Sequence, residues 1–384
     1  MKRVFFLTLF FLFITEFGFS QPIWLKKPIQ PVPFDSIMLE DYFWNEARTL
    51  ALKADSTLKP SVEKEMTFNR KSMRKQYDSW MKRTADSLSL LGGIGPLTAG
   101  SPLQSLSSME TVRQSWNLYL WTGDAKYLDV LERAMYNGVR SSLSIDGNPY
   151  IKDGAQMNYD FVGYMAATQG RSIYLNLLTR STISVHTDSL DVKILLDTSM
   201  PWFSRVLFRI ILPEGVKHRF SLCLRVPGWV RGEVLPVGNR YGMTDKTAYG
   251  SININGEATI VRPQNGYIII DREWTNGETV HWDQKTPIKR IRKVKDGEQE
   301  KGLFAFQRGP IVYSISRGSD VGFLDVSDPV DMEYDKVVRH VEVLSGNMYK
   351  SDGTVIPDGY KAVPYYKGIE EFPEQCTVWY RERK

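Results

Sequence analysis

Between residues 34 and 139 the apolar positions recur mostly at helical spacing. Over 41–53 the chain carries Tyr42, Phe43, Ala47, Leu50 and Leu52, a pattern that predicts an amphipathic helix. Residues 64–83 are rich in Lys and Arg and read as a solvated or loosely ordered helix. Arg70, Lys71, Arg74 and Lys75 suit an anionic ligand, but a wet helix face is the commoner origin of such a run. The glycines of Leu91-Gly92-Gly93-Ile94-Gly95-Pro96 predict a loop. Ser107 or Ser108 then caps a helix over 109–121. Met109, Val112, Trp116 and Leu120 fall on its apolar side; Glu110, Gln114, Asn117 and Trp121 form a polar stripe. Thr122-Gly123-Asp124 breaks the helix, with Gly123 as the left-handed residue and Asp124 as the next cap. A second helix over 125–136 buries Tyr127, Leu128, Leu131, Ala134 and Met135 and ends at Asn137-Gly138, giving an αα-hairpin.

The period changes near residue 170. Before it, 142–150 resembles a hairpin turning at Asp146-Gly147. After it, strands are predicted over 172–178, 182–187, 189–196, 205–212, 220–226, 266–272 and 302–316. Phe220, Leu222, Leu224 and Val226 alternate with Ser221, Cys223 and Arg225, the mark of a half-buried strand. Short strands separated by turns such as Asn276-Gly277 predict a β-sandwich. Residues 334–384 read as a further small β segment. The expected organisation is a leader over 1–20, a helical domain over 21–170, a sandwich over 171–330 and a C-terminal β segment over 331–384.

Composition supports a folded chain: 42% of its 384 residues are hydrophobic and 24% charged. A net charge of +5 spread over this length does not indicate nucleic-acid binding. Two cysteines exclude a disulfide scaffold and a four-cysteine zinc site; whether Cys223 and Cys376 pair is left open. Four dispersed histidines exclude an HExxH metal helix. Lys2 and Arg3 precede an apolar run over 4–14, too short to span a bilayer, and Gly18-Phe19-Ser20 supplies the small residues of a cleavage site. This predicts a signal peptide cut near Ser20-Gln21 and a periplasmic or extracellular product without a membrane span. The competing reading is a buried N-terminal helix. No cysteine follows the run, which argues against a lipid anchor.

The long motif from Trp116 through Thr122-Gly123-Asp124 to Asn137-Gly138-Val139, with Met109-Glu110-Thr111-Val112 before it, resembles the signature helix pair of glycoside hydrolase family 127, the β-L-arabinofuranosidases. Gly92-Gly93-Ile94-Gly95 is similar to that family's glycine loop and Asp41-Tyr42-Phe43-Trp44 to its first-helix motif. Pro201-Trp202, Leu224-Arg225-Val226-Pro227-Gly228-Trp229, Arg272-Glu273-Trp274 and Gln307-Arg308-Gly309-Pro310-Ile311-Val312-Tyr313 follow in the family's order. The resemblance implies an α+β multidomain protein, with an (α/α)6-barrel helical region followed by β-sandwich domains. It also implies hydrolysis of terminal β-L-arabinofuranosides in plant glycans, by a zinc-bound cysteine thiolate with a glutamate as acid and base.

The chain departs from that pattern at the chemistry. The family's helix opens Glu-Thr-Cys, and its Glu and Cys bind zinc. Here Glu110 matches one ligand and Val112 replaces the other. The family's paired cysteines fall in a gap bridged here by 148–171, which contain none, and Ser101 stands where the acid/base glutamate aligns. About four helices before residue 138 cannot close a twelve-helix barrel, so the helical region is read as partial. No cofactor is therefore expected, and Cys223 and Cys376 read as small packing residues.

A two-carboxylate mechanism needs acids roughly 5–9 Å apart. Glu110 is the candidate acid, with Asp153 or Asp160 as its partner; the competing reading of Glu110 is a favourable charge near a helix N-terminus. Gln114, Asn117, Trp121 and Tyr159 are the candidate sugar contacts. Tyr150 and Trp229 are further stacking candidates, whereas Trp116 lies on the apolar stripe. Lys289, Arg290, Arg292, Lys293 and Lys295 suit either an acidic polysaccharide or a charge-protected edge strand. Two functions follow: a carbohydrate-active enzyme of the arabinofuranosidase type with impaired or lost catalysis, or a non-catalytic glycan-binding or remnant protein built on the sandwich. The expected partner is a plant-type oligo- or polysaccharide.

Overall fold

The computed structural model describes residues 22–62, 69–93, 102–143, 152–203, 205–236, 240–243, 250–294, 302–316, 322–335, 341–372 and 375–383. The leader, the hairpin turn at Asp146-Gly147, Tyr150, Ser101 and Lys295 therefore lie outside the described residues.

Helix α1 spans Tyr42–Ala54 and is capped by Asp41, whose Oδ2 accepts from Trp44 N at 2.8 Å. Its inner face is Phe43, Trp44, Ala47, Leu50 and Ala51, while Tyr42 and Leu52, assigned to the apolar face in the sequence, are exposed. Trp44 anchors the helix by stacking on Phe161, ring centroids 3.7 Å apart. The cap carboxyl is itself buried, and desolvation lifts its pKa from 3.8 to about 7 against the hydrogen bonds from Trp44 and Phe43. Between these two values the folded chain holds a proton that the unfolded chain has lost. Stability from this group therefore falls as pH rises from about 4 to about 7, by about 4 kcal/mol in all. Asp41→Asn keeps a capping oxygen and removes the charge. Its thermal midpoint should match the parent near pH 4 and exceed it at pH 8; an equal difference at both pH values would refute this account.

Helix α2 spans Arg70–Ser87, and Asn69 Oδ1 caps it by accepting from Ser72 N at 2.9 Å. It is not loosely ordered. Met73, Tyr77, Trp80 and Met81 recur every three or four residues and are buried, while Lys71, Arg74 and Lys75 lie on the wet face.

Helix α3 runs over Pro102–Thr122, seven residues earlier than the predicted start at 109. Ser107 and Ser108 are thus interior residues, not caps. The hydroxyls of Ser108 and Thr111 bond back to the Gln104 and Ser107 carbonyls at 2.9 and 2.7 Å, which satisfies them inside the helix. Gly123, at φ 69°, turns the chain, Asp124 Oδ1 accepts from Lys126 N at 3.0 Å, and helix α4 follows over Lys126–Ala134. Asn137-Gly138 does not stop this hairpin: the chain continues through a π turn, Met135–Val139, and a 3-10 turn, Arg140–Ser142. Gly138 serves close packing instead, since a Cβ there would lie 2.0 Å from Ser108 Oγ. Ser142 accordingly sits in a helical turn and does not begin a strand. Helix α5, Lys152–Tyr159, and the 3-10 turn Asp160–Tyr164 complete the helical layer. No helix among the described residues is long and apolar enough to cross a membrane.

Among the described residues three sheets follow. A five-stranded sheet orders Gln30–Pro31, Ala166–Gln169, Ser172–Leu175, His218–Arg225 and Tyr267–Trp274. A seven-stranded sheet runs from Glu257–Thr259 through Ile252–Ile254, Thr279–Asp283, Arg205–Ile211, Leu190–Thr198 and Ser181–Thr187 to Ile37–Leu39. Their alternating inner residues, including Phe220, Leu222, Leu224, Ile194, Phe208 and Trp282, merge with those of the helices in one apolar core. The third sheet joins Ile288–Lys293, Leu303–Arg308 and Ile311–Ser316 to strands from Phe323 to Glu382, so residues on both sides of position 331 share it. The helix Tyr365–Glu371, not foreseen in the sequence, packs against it.

The basic strand Ile288–Lys293 is not an edge: it pairs with Leu303–Arg308 on one side and Tyr241–Met243 on the other. Its cations are consumed inside the protein. Lys289 Nζ donates to the Trp229 carbonyl at 2.9 Å, Arg290 to the Asp328 carbonyl at 2.9 Å, and Arg292 to Glu382 at 2.7 Å, while Lys293 lies over the Trp379 ring. That strand offers no free basic surface to a polysaccharide.

Candidate functional site

The predicted polar stripe of α3 divides along its length. Glu110 is exposed and Gln114 half-buried, and Gln114 Nε2 donates to Glu110 Oε1 across one helical turn. Asn117 is buried, and the end of α3 is bonded by the N-terminal segment, where Leu25 N and Ile29 N donate to the Trp121 and Leu120 carbonyls at 2.9 and 2.8 Å. Trp121 is half-buried against the core. Trp116 is fully buried beside Tyr119 and Tyr164, as the apolar stripe requires. The open part of the site is therefore the first half of α3 and the start of α5, where Arg113 reaches Asp153 at 3.7 Å.

Asp160 is not available to a substrate. It is buried, and its two oxygens accept from Ser61 N at 3.0 Å, from Gln156 at 3.0 Å and from the Ser61 hydroxyl. Burial raises its pKa while these bonds and Arg113 oppose the shift. It ties the segment after α1 to α5. Tyr159 stacks on Phe34 with centroids 5.2 Å apart, and the Arg48 guanidinium lies over both rings. Trp229 is buried, with its indole N–H donating to Glu132 at 2.9 Å.

The residues present do not fit a zinc-bound thiolate. Within a continuous helix, positions 110 and 112 point about 200° apart, so their side chains diverge. Glu110 faces solvent and Val112 is wholly buried. Both cysteines are buried, one in the five-stranded sheet and the other in the third sheet, and neither forms a disulfide. Burial and the nearby Asp271 push the Cys223 thiol up to about 12, the opposite of what a thiolate ligand needs. Among the described residues no group of three His, Cys, Asp or Glu side chains converges to hold a metal ion.

A second constellation sits where the helical hairpin meets the sandwich. Arg225 is completely buried. Its guanidinium pairs with Asp129 at 3.0 Å and Glu132 at 2.5 Å, and its Nε donates to the Asn176 carbonyl at 2.6 Å. Arg231 adds a contact to Asp129 at 2.6 Å, and Gly228 N donates to the same carboxylate at 2.9 Å. Burial drives the Glu132 pKa upward and Arg225 draws it back. Arg133 bridges outward, donating to the Leu90 and Val234 carbonyls and to Gln307 at 3.2, 2.8 and 2.9 Å. In the sequence Glu132-Arg133 and Leu224-Arg225 stand in separate stretches. Nothing there shows that they pair, and the local signal is a charged residue inside each apolar run.

Residues 105–152, which hold this hairpin, match the catalytic-domain model of the GH127 β-L-arabinofuranosidases, and 172–285 match the model of their middle domain. The chain belongs to glycoside hydrolase family 127. The buried ion cluster is thus the seam between the two family segments. Similar solved structures include a GH127 β-arabinofuranosidase at 22% identity and TM-score 0.70, covering 81% of this chain and 56% of that one. The GH127 β-L-arabinofuranosidase from Geobacillus stearothermophilus T6 has 22% identity and TM-score 0.66, covering 89% and 59%. A protein titled glycoside hydrolase has 18% identity and TM-score 0.63, covering 76% and 55%. These likenesses establish the fold, and this family-127 chain spans less than two thirds of each. No curated protein matches it.

Proposed function

We propose that this chain is an exported carbohydrate-active protein of the β-L-arabinofuranosidase type in which the family's catalysis is impaired or lost. Its helical layer is read as a partial (α/α)6 barrel. The observation that carries this reading is the valine at position 112, buried in the core while Glu110 lies in solvent. A valine offers no donor atom, so it cannot join Glu110 around one ion. What the open face retains is hydrogen-bonding capacity: the Glu110–Gln114 pair and Arg113 with Asp153 can meet sugar hydroxyls of a plant-type glycan. Glu110 is the residue assigned to any residual acid chemistry, with Gln114 holding its carboxylate in place.

The test is metal content and turnover measured on the same sample. Protein purified with added zinc should carry far less than one equivalent of bound metal, and should release no L-arabinose from an aryl β-L-arabinofuranoside. Stoichiometric zinc with turnover would overturn the proposal. Metal-free turnover that vanishes in Glu110→Gln would replace lost catalysis with a carboxylate mechanism.

A further inference from the structure

The third sheet carries a cleft of about 500 Å³, within the range of small-ligand sites. Strand register builds it. Leu303 pairs with Arg381, Arg381 with Phe323, and Phe323 with Tyr349, so the four lie in one row across the sheet. Side chains in such a row point to one face, and Arg383, two residues on, shares it. Arg383 is held with its guanidinium 4.5 Å from the Tyr349 ring centroid. Glu382, between the arginines, is instead engaged by Arg292 at 2.7 Å. The turn over 350–354 closes one side. There Asp352 Oδ1 accepts from Thr354 N at 2.9 Å, and the exposed Lys350 on the rim lies close enough to help hold that carboxylate ionised. The cleft thus presents Arg381, Arg383 and Lys350 beside the apolar surface of Leu303 and Phe323, with two carboxylates, Glu382 held by Arg292 and Asp352 in its own turn.

We propose that this cleft binds a sugar unit bearing a carboxylate, a uronate of an acidic glycan. The planar fork of Arg381 suits a carboxylate, and Phe323 offers a ring on which the C–H face of a pyranose can lie. Basic residues on the strand Ile288–Lys293 cannot do this, because they are paired internally. The inference stands apart from the reading of the α3 face and uses no arabinofuranoside in its test.

Calorimetry on the full chain with tri-galacturonate, neutral galactotriose and inorganic sulfate decides it. The acidic trimer should bind at one site, at least about tenfold tighter than the neutral trimer or sulfate, and Arg381→Gln should weaken it about tenfold. Phe323→Leu should weaken it less, and Arg74→Gln, on the exposed face of α2, should leave it unchanged. The proposal is overturned by absence of heat with the acidic trimer, by equal affinity for galactotriose or sulfate, or by unaltered binding in a folded Arg381→Gln protein.

Discussion

Arg225→Ala should lose about 3–5 kcal/mol of unfolding free energy. The reason lies in what remains after the change. Arg225 is wholly buried and faces both Asp129 and Glu132. Without it, two carboxylates stay enclosed between the α3–α4 hairpin and the five-stranded sheet, with Arg231 left beside Asp129. The Asn176 carbonyl also loses its donor. Arg225→Lys should recover part of the loss, because an ammonium supplies charge but cannot fork to both acids. Urea unfolding followed by intrinsic fluorescence measures this directly. A loss below about 1 kcal/mol would mean that the ion cluster does not hold the two family segments together.

The second large effect belongs to Asn137. Its amide lies inside the protein and acts as a short piece of strand. Nδ2 donates to the Arg133 and Pro310 carbonyls at 2.8 and 2.9 Å, and Oδ1 accepts from Val312 N at 2.9 Å. One side chain therefore satisfies two polar groups of this hairpin, the Pro310 carbonyl in its turn and the Val312 amide at the start of its second strand. Asn137→Ala leaves the Pro310 carbonyl and the Val312 amide buried without this partner, at about 1–3 kcal/mol each. We expect a total loss of about 2–6 kcal/mol and faster amide hydrogen exchange over 308–313. Asn137→Asp should be nearly as damaging, because a carboxylate cannot donate to Pro310. Unchanged exchange in that hairpin would show that the bonds are replaced by other groups.

Much of the helical hairpin was readable in the residues. Gly123 breaks the chain where it was expected to, and Met109, Val112, Trp116 and Leu120 are all buried. The strands over 181–187, 190–198 and 205–211 were readable because period two survives in them. What failed shares one cause: residues with two local meanings. Asn137-Gly138 has the composition of a helix stop, yet Gly138 is there to let the helix approach Ser108, and Asn137 to bond a distant strand. Ser107 and Ser108 look like caps but lie inside α3, where the Ser108 hydroxyl donates to the Gln104 carbonyl and the Ser107 carbonyl accepts from Thr111. The basic run at 289–293 looked exposed because its partners, Asp328, Glu382 and Trp379, are remote in the chain.

The candidate site divides in the same way. That position 112 is valine, and that the chain has only two cysteines, is plain in the residues. That Glu110 turns to solvent while Asp160 is consumed by Ser61 is not, since the bonding partner lies 99 residues away. By itself, then, the sequence determined the helical hairpin, the valine at position 112 and the family that its motifs resemble, because periodicity and residue chemistry act over a few neighbours. Only the tertiary structure decided which charges are free and which are spent. A charged group's state depends on what encloses it, and here the enclosing groups come from other sheets and helices.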